Sequence, residues 1–524
     1  MEGVLKMNGA ESLVRTLVEN SVEVCFTNPG TSEMHFVSAL DKVPGVRCVL
    51  GLFEGVVTGA ADGYYRIADK PASTLLHLGP GLGNGLANLH NAKKANSGIV
   101  NIVGEHALHH IECDAPLTSD IEGVARPMSH WVKTAKSSMD VSKEGALAIE
   151  QAQQSPGQIA TLILPADTAW GPGGEVVKAK KPAARSQISE QVVQRIAKVL
   201  ASPDPKALLL GGLALRAESL ALAGQIAAKT GCVIHSEYNN ARIQRGAGRV
   251  KAKSIPFSVN AALEMLKDYK HIVLVGAKKP VAFFGYPNKP SYLFSKDCAI
   301  DELVGLGEDI HHALQMLVEH LGASKLKPVL AQLNQPECPD GPFDQAGIAK
   351  VLTALIPEHA IVVDESITTG RDFDAFTMSA QPHDWLNLMG GSIGFALPAA
   401  VGAAIAAPNR TVLALEGDGS AMYTLQSLWT MARERLNVKV IIFANQSYEI
   451  LKGELVNVGA TGSGEKALSM LSLNSPSLDW VGLAKSQGVE GFRVKDLKEF
   501  FHTLKAVIAM NGPQLIEVDM HKPF

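Results

Sequence analysis

Three doubly wound α/β domains, each a parallel sheet wrapped by helices, are expected from three features of this sequence. Short β-rich runs alternate with helical stretches from one end to the other. Two Pro-containing stretches without periodicity divide that alternation into thirds. The 524 residues are too many for one module and suit three domains that each bury a core. The expected domains span 1–175, 186–325 and 342–524.

In the first third, VCFTNPG (24–30), TLLHLGPG (74–81), IVNIVGE (99–105) and TLILPAD (161–167) read as buried strands running into loops, with helices between them. Residues 172–186, PGGEVVKAKKPAARS, mix Pro, Gly and a basic cluster, as a linker does. The second third opens on a helix whose Val192, Val193, Ile196, Val199 and Leu200 keep helical spacing. Strands ALLLGG (207–212), CVIHSE (232–237) and HIVLVGA (271–277) follow. Residues 322–341, with Pro328, Pro336 and Pro339, form the second linker, and the last third repeats the plan through AIVVDES, TVLALEGDGS, VKVIIFANQS and PQLIEVDM. The order is that of open sheets, which bind ligands at the carboxyl ends of their strands.

Composition narrows the function. Hydrophobic residues make up 46% and charged residues 19%, which excludes disorder. Forty-eight basic against 52 acidic residues leave a net charge of -4, so nucleic acid and anionic membrane are not expected partners. Cysteines 25, 48, 113, 232, 298 and 338 form no CxxC pair, which argues for a reducing cytoplasm over a disulfide framework or zinc ribbon. The opening MEGVLKMNGAESLV does not read as a signal peptide, and the longest mostly apolar run, 394–407, contains Pro398 and is too short to span a bilayer.

The most specific chemistry lies at Gly417-Asp418-Gly419-Ser420, after one strand, and at Asn445-Gln446-Ser447, after the next. One helical stretch, about 421–434, is expected between them, making a β-α-β unit that brings Asp418 and Asn445 to neighbouring strand ends. A carboxylate oxygen, an amide oxygen and a loop carbonyl are hard ligands suited to Mg²⁺, with phosphate oxygens completing the octahedron. Gly417 and Gly419 allow the backbone to approach a diphosphate, which the following helix N-terminus favours. GDG alone is equally a tight turn without a ligand. The asparagine one unit later argues for the ligand.

GDGS together with AMYTLQSLWTMARERLNVKVIIFANQS resembles the thiamine diphosphate motif of the 2-oxo acid decarboxylase and acetolactate synthase superfamily, and the resemblance extends over nearly the whole chain. It implies thiamine diphosphate and Mg²⁺ as cofactors, with the metal on Asp418, Asn445 and the main-chain carbonyl of Ser447. Gly417, Gly419, Ser420 and Tyr448 belong to the same implied cofactor site. Gly391-Ser392-Ile393-Gly394-Phe395 resembles the family segment in which a glycine carbonyl meets the aminopyrimidine and a bulky apolar side chain bends the cofactor, roles that fall to Gly391 and Ile393. Residues 365–369, ESITT, resemble the loop that grips the diphosphate, which assigns Glu365, Thr368 and Thr369.

Thiamine chemistry also needs a carboxyl group beside the aminopyrimidine. Glu54, in apolar company within GLFEGVV, is placed to hold or share a proton, although a helix-start glutamate facing the dipole is the plainer reading. LFEGVVTGAADGYYR resembles the family's glutamate helix and decides for catalysis. In that family the glutamate serves a cofactor whose metal site belongs to another subunit, so the resemblance implies a homodimer or homotetramer with active sites at the interface. Related enzymes bind FAD in the middle domain; FAD is not expected here.

Residues 28–31, NPGT, and 77–84, HLGPGLGN, resemble benzoylformate decarboxylases, whose matching serine and histidine face the substrate. Thr31 and His77 inherit those places, His77 as a proton carrier near neutral pH. The family's second histidine falls where this chain has PVAFFGYP (280–287), so an apolar pocket wall from Phe283, Phe284 or Tyr286 is expected instead. Pro116 and Leu117 match pocket positions, with Ile450 and Leu451 as partners from another subunit. His109 and His110 are expected in a loop and not as a metal pair, and 459–464 as a lid or an exposed loop. The expected activity is decarboxylation of a 2-oxo acid through a ylid and an enamine, with possible carboligation to an aldehyde. The alternatives are acetolactate synthase-like condensation and a silent cofactor-binding scaffold.

Overall fold

The computed structural model describes residues 7–371, 373–460, 462 and 464–520. The first sheet contains β1 (Val24–Asn28), β2 (Arg47–Leu50), β3 (Ala72–Leu76), β4 (Ile99–Glu105), β5 (Trp131–Thr134) and β6 (Ile159–Pro165) in the order β2-β1-β3-β4-β6-β5, all parallel. Next along the chain come β7 (Lys206–Leu210), β8 (Val233–Ser236), β9 (Ile243–Arg245), β10 (Lys253–Ser254), β11 (His271–Val275) and β12 (Ala299–Val304). All but β9 form a second parallel sheet, β10-β8-β7-β11-β12. The third sheet adds β13 (Ile361–Glu365), β14 (His383–Asn387), β15 (Val412–Gly417), β16 (Val438–Ala444), β17 (Glu490–Val494) and β18 (Gln514–Asp519) in the order β17-β18-β16-β15-β13-β14-β9. Three mostly parallel sheets with helices are the α/β fold expected.

Every residue of β3, β4, β6, β7 and β16 is buried, as a sheet covered by helices on both faces requires. In the first sheet two strands escape a pattern-based reading. β2 and β5 are short edge strands of mixed burial, so neither presents the continuous apolar run that marks a central parallel strand. Residues 173–188 hold no helix or strand, in keeping with a connector.

The third sheet adds a pairing that the sequence pattern does not show. β9 comes from the middle of the chain but pairs antiparallel with β14, so the third sheet is completed by a strand from the preceding unit. Arg245 is the anchor. Its guanidinium lies 3.9 Å from the centre of the Trp385 ring, pairs with Asp374, and donates to His383 Nε2 at 3.4 Å. His383 Nδ1 in turn donates to the Gln381 carbonyl at 2.6 Å. Burial, then the Arg245 charge, pushes this imidazole down to about 3, so it is held neutral.

Helix α1 (Glu54–Ala68), α2 (Leu78–Ala95) and α3 (Ala396–Ala406) join the first sheet's layers to the third's. α3, ALPAAVGAAIA, is apolar all round and fully enclosed apart from its last residue, as a helix packed between layers should be. It meets α1 without room for side chains. A methyl on Gly63 would stand 2.0 Å from the Ala399 carbonyl oxygen, and one on Gly402 1.8 Å from that of Ala60. Arg66 and Asp62, both buried, form a bidentate pair at 2.6 and 2.8 Å on α1, and Arg66 also donates to the Asn387 carbonyl at 2.7 Å. The pair is desolvated, but its hydrogen bonds are satisfied.

Candidate active site

Strands β13, β15 and β16 are parallel neighbours, so the loops after them open at one edge. There they line a cleft of about 1540 Å³. Thr368, Thr369, Gly391, Ile393, Gly417, Asp418, Gly419, Ser420, Asn445, Ser447 and Tyr448 all border it, as do Phe284, Ile450 and Leu451. Apart from Glu54, the residues assigned to the cofactor border this one cleft, as do three of the five assigned to the pocket. The helix expected over 421–434 is not continuous: a short turn at Asp418–Ala421 is followed, after a non-helical stretch, by Ser427–Arg433.

Asp418 is buried, and each carboxylate oxygen accepts one main-chain N–H: Gly419 at 2.9 Å and Gln446 at 2.6 Å. Asn445 Oδ1 accepts from Ser447 N–H at 3.0 Å. Each oxygen keeps a lone pair for a cation. Burial pushes the Asp418 carboxyl up to about 6, against the pull of these N–H groups, which is the condition of a desolvated carboxylate without a positive neighbour. A hard cation would relieve it. Among the described residues no group of three or more His, Cys, Asp and Glu side chains could hold a metal. The donor set therefore fits Mg²⁺ carried in with a diphosphate better than a metal held by protein alone. The Tyr448 ring covers Gly419, where a methyl would stand 2.4 Å from Cε1.

Glu365 borders the cleft, but its carboxylate is not free to face a ligand. It accepts N–H bonds from Gly394, Phe395 and Ala396 at 2.9, 2.6 and 2.8 Å, at the start of α3. The expected diphosphate-gripping role is thereby corrected for this side chain: it ties the end of β13 to the loop that carries Gly391 and Ile393. A phosphate would also be repelled by a carboxylate. Burial pushes Glu365 up to about 7, and Glu416, the residue opposite it on β15, is raised as well by burial and by Glu365. The two buried carboxyls cannot both ionise freely. Ile393 is half-buried and packs against the core as well as bordering the cleft.

From the middle of the chain a row of rings closes the cleft, Tyr238, Phe257, Phe283 and Phe284, with successive centres 5.4, 5.5 and 4.9 Å apart. Phe283 lies over Gly391, where a methyl would meet its Cζ at 2.7 Å. Aromatic rings stand where the second histidine is absent.

Glu54 and His77 occupy a second locus. A methyl on Gly81 would meet Glu54 Oε1 at 3.1 Å and His77 Cβ at 3.4 Å, so both side chains border one point. Glu54 starts α1, is nearly enclosed, and its Oε2 accepts from Asn84 Nδ2 at 3.0 Å. His77 precedes α2, whose first residue, Leu78, takes φ +50, an uncommon conformation that an active-site turn can hold. Thr31 is exposed; the hydroxyl near His77 Nδ1 is that of Ser32, at 3.4 Å. The expected hydroxyl is thus displaced by one residue, because the turn Thr31–Glu33 is 3-10 helical and rotates the two side chains apart.

Neither Glu54 nor His77 lines the cleft, and neither do Pro116 and Leu117, which are exposed on the loop before residue 121. The chain therefore carries two separate loci. They are linked through α2: Asn88 Nδ2 donates to the Gly55 and Gly394 carbonyls at 2.9 and 3.1 Å, and Asn91 Nδ2 to Ser392 at 2.8 Å. Glu33, Ser32, Asn88 and Glu416 are site neighbours that motif spacing does not single out. His109 and His110 are exposed on a 3-10 turn, Leu108–Cys113. Of the expected lid, Thr461 and Ser463 lie outside the described residues.

Comparison with known proteins points to one family. Residues 7–129 match the family model "Thiamine pyrophosphate enzyme, N-terminal TPP binding domain", and 370–518 match "Thiamine pyrophosphate enzyme, C-terminal TPP binding domain". The chain is 47% identical, over 98% of its length and 99% of the relative's, to a Mycobacterium tuberculosis protein named "Putative acetolactate synthase large subunit IlvX". It is 29% identical to the benzoylformate decarboxylase of Pseudomonas aeruginosa, over 96% of this chain and 97% of the other. Among solved structures, a thiamine diphosphate-dependent 4-hydroxybenzoylformate decarboxylase of Rhodococcus jostii RHA1 superposes with a TM-score of 0.84 over 99% of this chain and 100% of that one, at 24% identity.

Proposed function

This chain belongs to the thiamine pyrophosphate enzyme family, and we propose that within it the protein is a Mg²⁺-dependent decarboxylase of a 2-oxo acid. The observation that carries the choice is the second locus, where a buried glutamate and a histidine border the same point at Gly81. A decarboxylase must return a proton to carbon after CO₂ leaves, and an imidazole beside the cofactor glutamate is suited to that transfer.

Asp418, Asn445 and the Ser447 carbonyl would hold Mg²⁺, with the Gly417–Ser420 turn against the diphosphate. Gly391 and Ile393 would meet the aminopyrimidine. Thiamine diphosphate, when bound, supplies the nucleophilic carbon and the electron sink that decarboxylation needs. Glu54, steadied by Asn84, holds and shares the proton at its Oε atoms. His77 faces the substrate carboxylate and moves a proton at its ring. Phe283 and Phe284 exclude water from the substrate side and favour an apolar side chain.

Because Glu54 and His77 do not line this chain's own cleft, we propose that they complete the cleft of a second copy, in a homodimer or homotetramer. Acetolactate synthase-like condensation is the second reading, favoured by the name of the relative at 47% identity. Product analysis separates them: incubation with thiamine diphosphate, Mg²⁺ and a panel of aliphatic and aromatic 2-oxo acids gives mainly aldehyde from a decarboxylase. Acetolactate from pyruvate would establish the second reading instead. Among the described residues no helix is long and apolar enough to cross a membrane; a cytoplasmic site of action is part of the proposal.

A further inference from the structure

β1, β3 and β4 are adjacent and parallel, Asn28 opposite Leu76 and Leu76 opposite Val103, so the residues just beyond them share one edge. Glu33, from the first of these ends, is 1% exposed. Its Oε2 accepts the Gly30 N–H at 2.6 Å and lies 2.8 Å from His77 Nδ1, while Oε1 accepts from the Ser32 hydroxyl at 2.6 Å. Among the described residues no lysine or arginine pairs with this carboxylate. The backbone is shaped around the pair. A methyl on Gly104 would stand 1.6 Å from Glu33 Oε1, and one on Gly30 2.3 Å from His77 Nδ1.

We propose that Glu33 is the positioning residue of His77, fixing its ring and assigning the working nitrogen to Nε2 in the proton transfers of the reaction. The inference rests on the decarboxylase reading above. A neutral imidazole has one N–H, and an acceptor-only carboxylate on Nδ1 draws it there, which leaves the lone pair on Nε2. Among the described residues nothing bonds Nε2, and the side chain keeps 24% of its surface open. When the ring takes up a proton at Nε2, the buried carboxylate stands against the new charge without moving. The other titratable groups facing His77 are Glu54, across Gly81, and His106, whose ring centre is 5.4 Å from that of His110. His106 is held below its ordinary value by burial first and then by the charges of His110 and His77, so it opposes a second positive charge nearby. Its Nε2 is buried without a partner in the described structure.

The test is a double-mutant cycle on the holoenzyme with the best 2-oxo acid. Glu33→Gln keeps the side chain's shape and removes its charge. It is expected to lower kcat on the order of 10- to 100-fold, less than the ~10²- to 10⁴-fold a full loss of general acid–base catalysis brings, with KM for thiamine diphosphate unchanged. Added to His77→Ala it is expected to cost nothing further, because its effect runs through that ring. Multiplying losses, or full turnover in Glu33→Gln, would overturn the assignment. A readout independent of turnover is the ¹⁵N-histidine spectrum of the holoprotein, with His77→Ala identifying the signal. Neutral His77 is expected to carry its proton on Nδ1 in the wild type, and less of it there in Glu33→Gln or, should that variant not fold, in Gly104→Ala. An Nε2-protonated wild-type ring would refute the role of Glu33. If the wild type released CO₂ from no 2-oxo acid, the proposed function would fall while this spectrum still decided the positioning.

Discussion

The main-chain N–H of Gln446 donates to Asp418 Oδ2 at 2.6 Å, across 28 residues of sequence. Gln446 reaches that position with φ +54, in the left-handed region, which turns its N–H back toward the neighbouring strand end. The bond joins the two halves of the GDGS and NQS motif and sets Asp418 and Asn445 side by side at one edge of the third sheet. A single turn geometry thus places both side chains proposed to hold the metal.

Asp418→Asn is expected to abolish the thermal stabilisation that thiamine diphosphate and Mg²⁺ give together. Ligand at 100 times its Kd stabilises by about 2.7 kcal/mol, so the wild type should melt several degrees higher with both present. The variant should melt at one temperature with or without them. A retained shift in the variant would remove Asp418 from the metal site.

The proposed sharing of active sites between two copies predicts complementation. Glu54→Gln and Asp418→Asn should each be inactive alone. Co-expressed, mixed dimers contain one intact site assembled from the unmutated half of each chain, so roughly a quarter of wild-type activity should return under random pairing. No recovery in verified mixed dimers would mean that each chain completes its own site.

The joint between β9 and β14 predicts an acid limit. His383, buried and pushed down to about 3, is neutral in the folded protein but titrates near 6.5 in an unfolded chain. Between those values the unfolded state binds more protons, so stability is fully present above about pH 6.5 and is lost as pH falls toward 3, by a few kcal/mol in order of magnitude. Melting temperatures of wild type and His383→Gln across pH 4 to 7.5 check this. The variant should have the shallower slope, and equal slopes would contradict the assignment.

The contact between α1 and α3 predicts intolerance of a single methyl. Gly63→Ala would push on the Ala399 carbonyl, which as backbone cannot swing aside. Overpacking of this kind costs roughly 1–3 kcal/mol, read as a lower urea midpoint. An unchanged midpoint would show that the helices can separate at no cost.

Much of this site is legible in the sequence because its chemistry is local. Gly417 to Ser420 and Asn445 to Ser447 each sit on one turn after an apolar strand, so type and place are read together. Glu54 and His77 are found by the longer segments around them. What escapes is what depends on side-chain direction or distant pairing. Glu365 ends the strand that leads into the right loop, but its carboxylate turns to the start of α3. Thr31 and Ser32 exchange places because one residue of a 3-10 turn reverses the face presented. Glu33 meets His77 across 44 residues, and no spacing rule connects them. β9, at three residues, is too short to show any period, yet it completes the third sheet.

CO₂ release from the preferred 2-oxo acid, at saturating thiamine diphosphate and Mg²⁺, compared between wild type and Glu54→Gln, tests the central claim most directly. Cofactor-dependent release with aldehyde as the main product in the wild type, falling on the order of 10²-fold or more in the variant, is the predicted result. Equal release by both proteins would contradict the account.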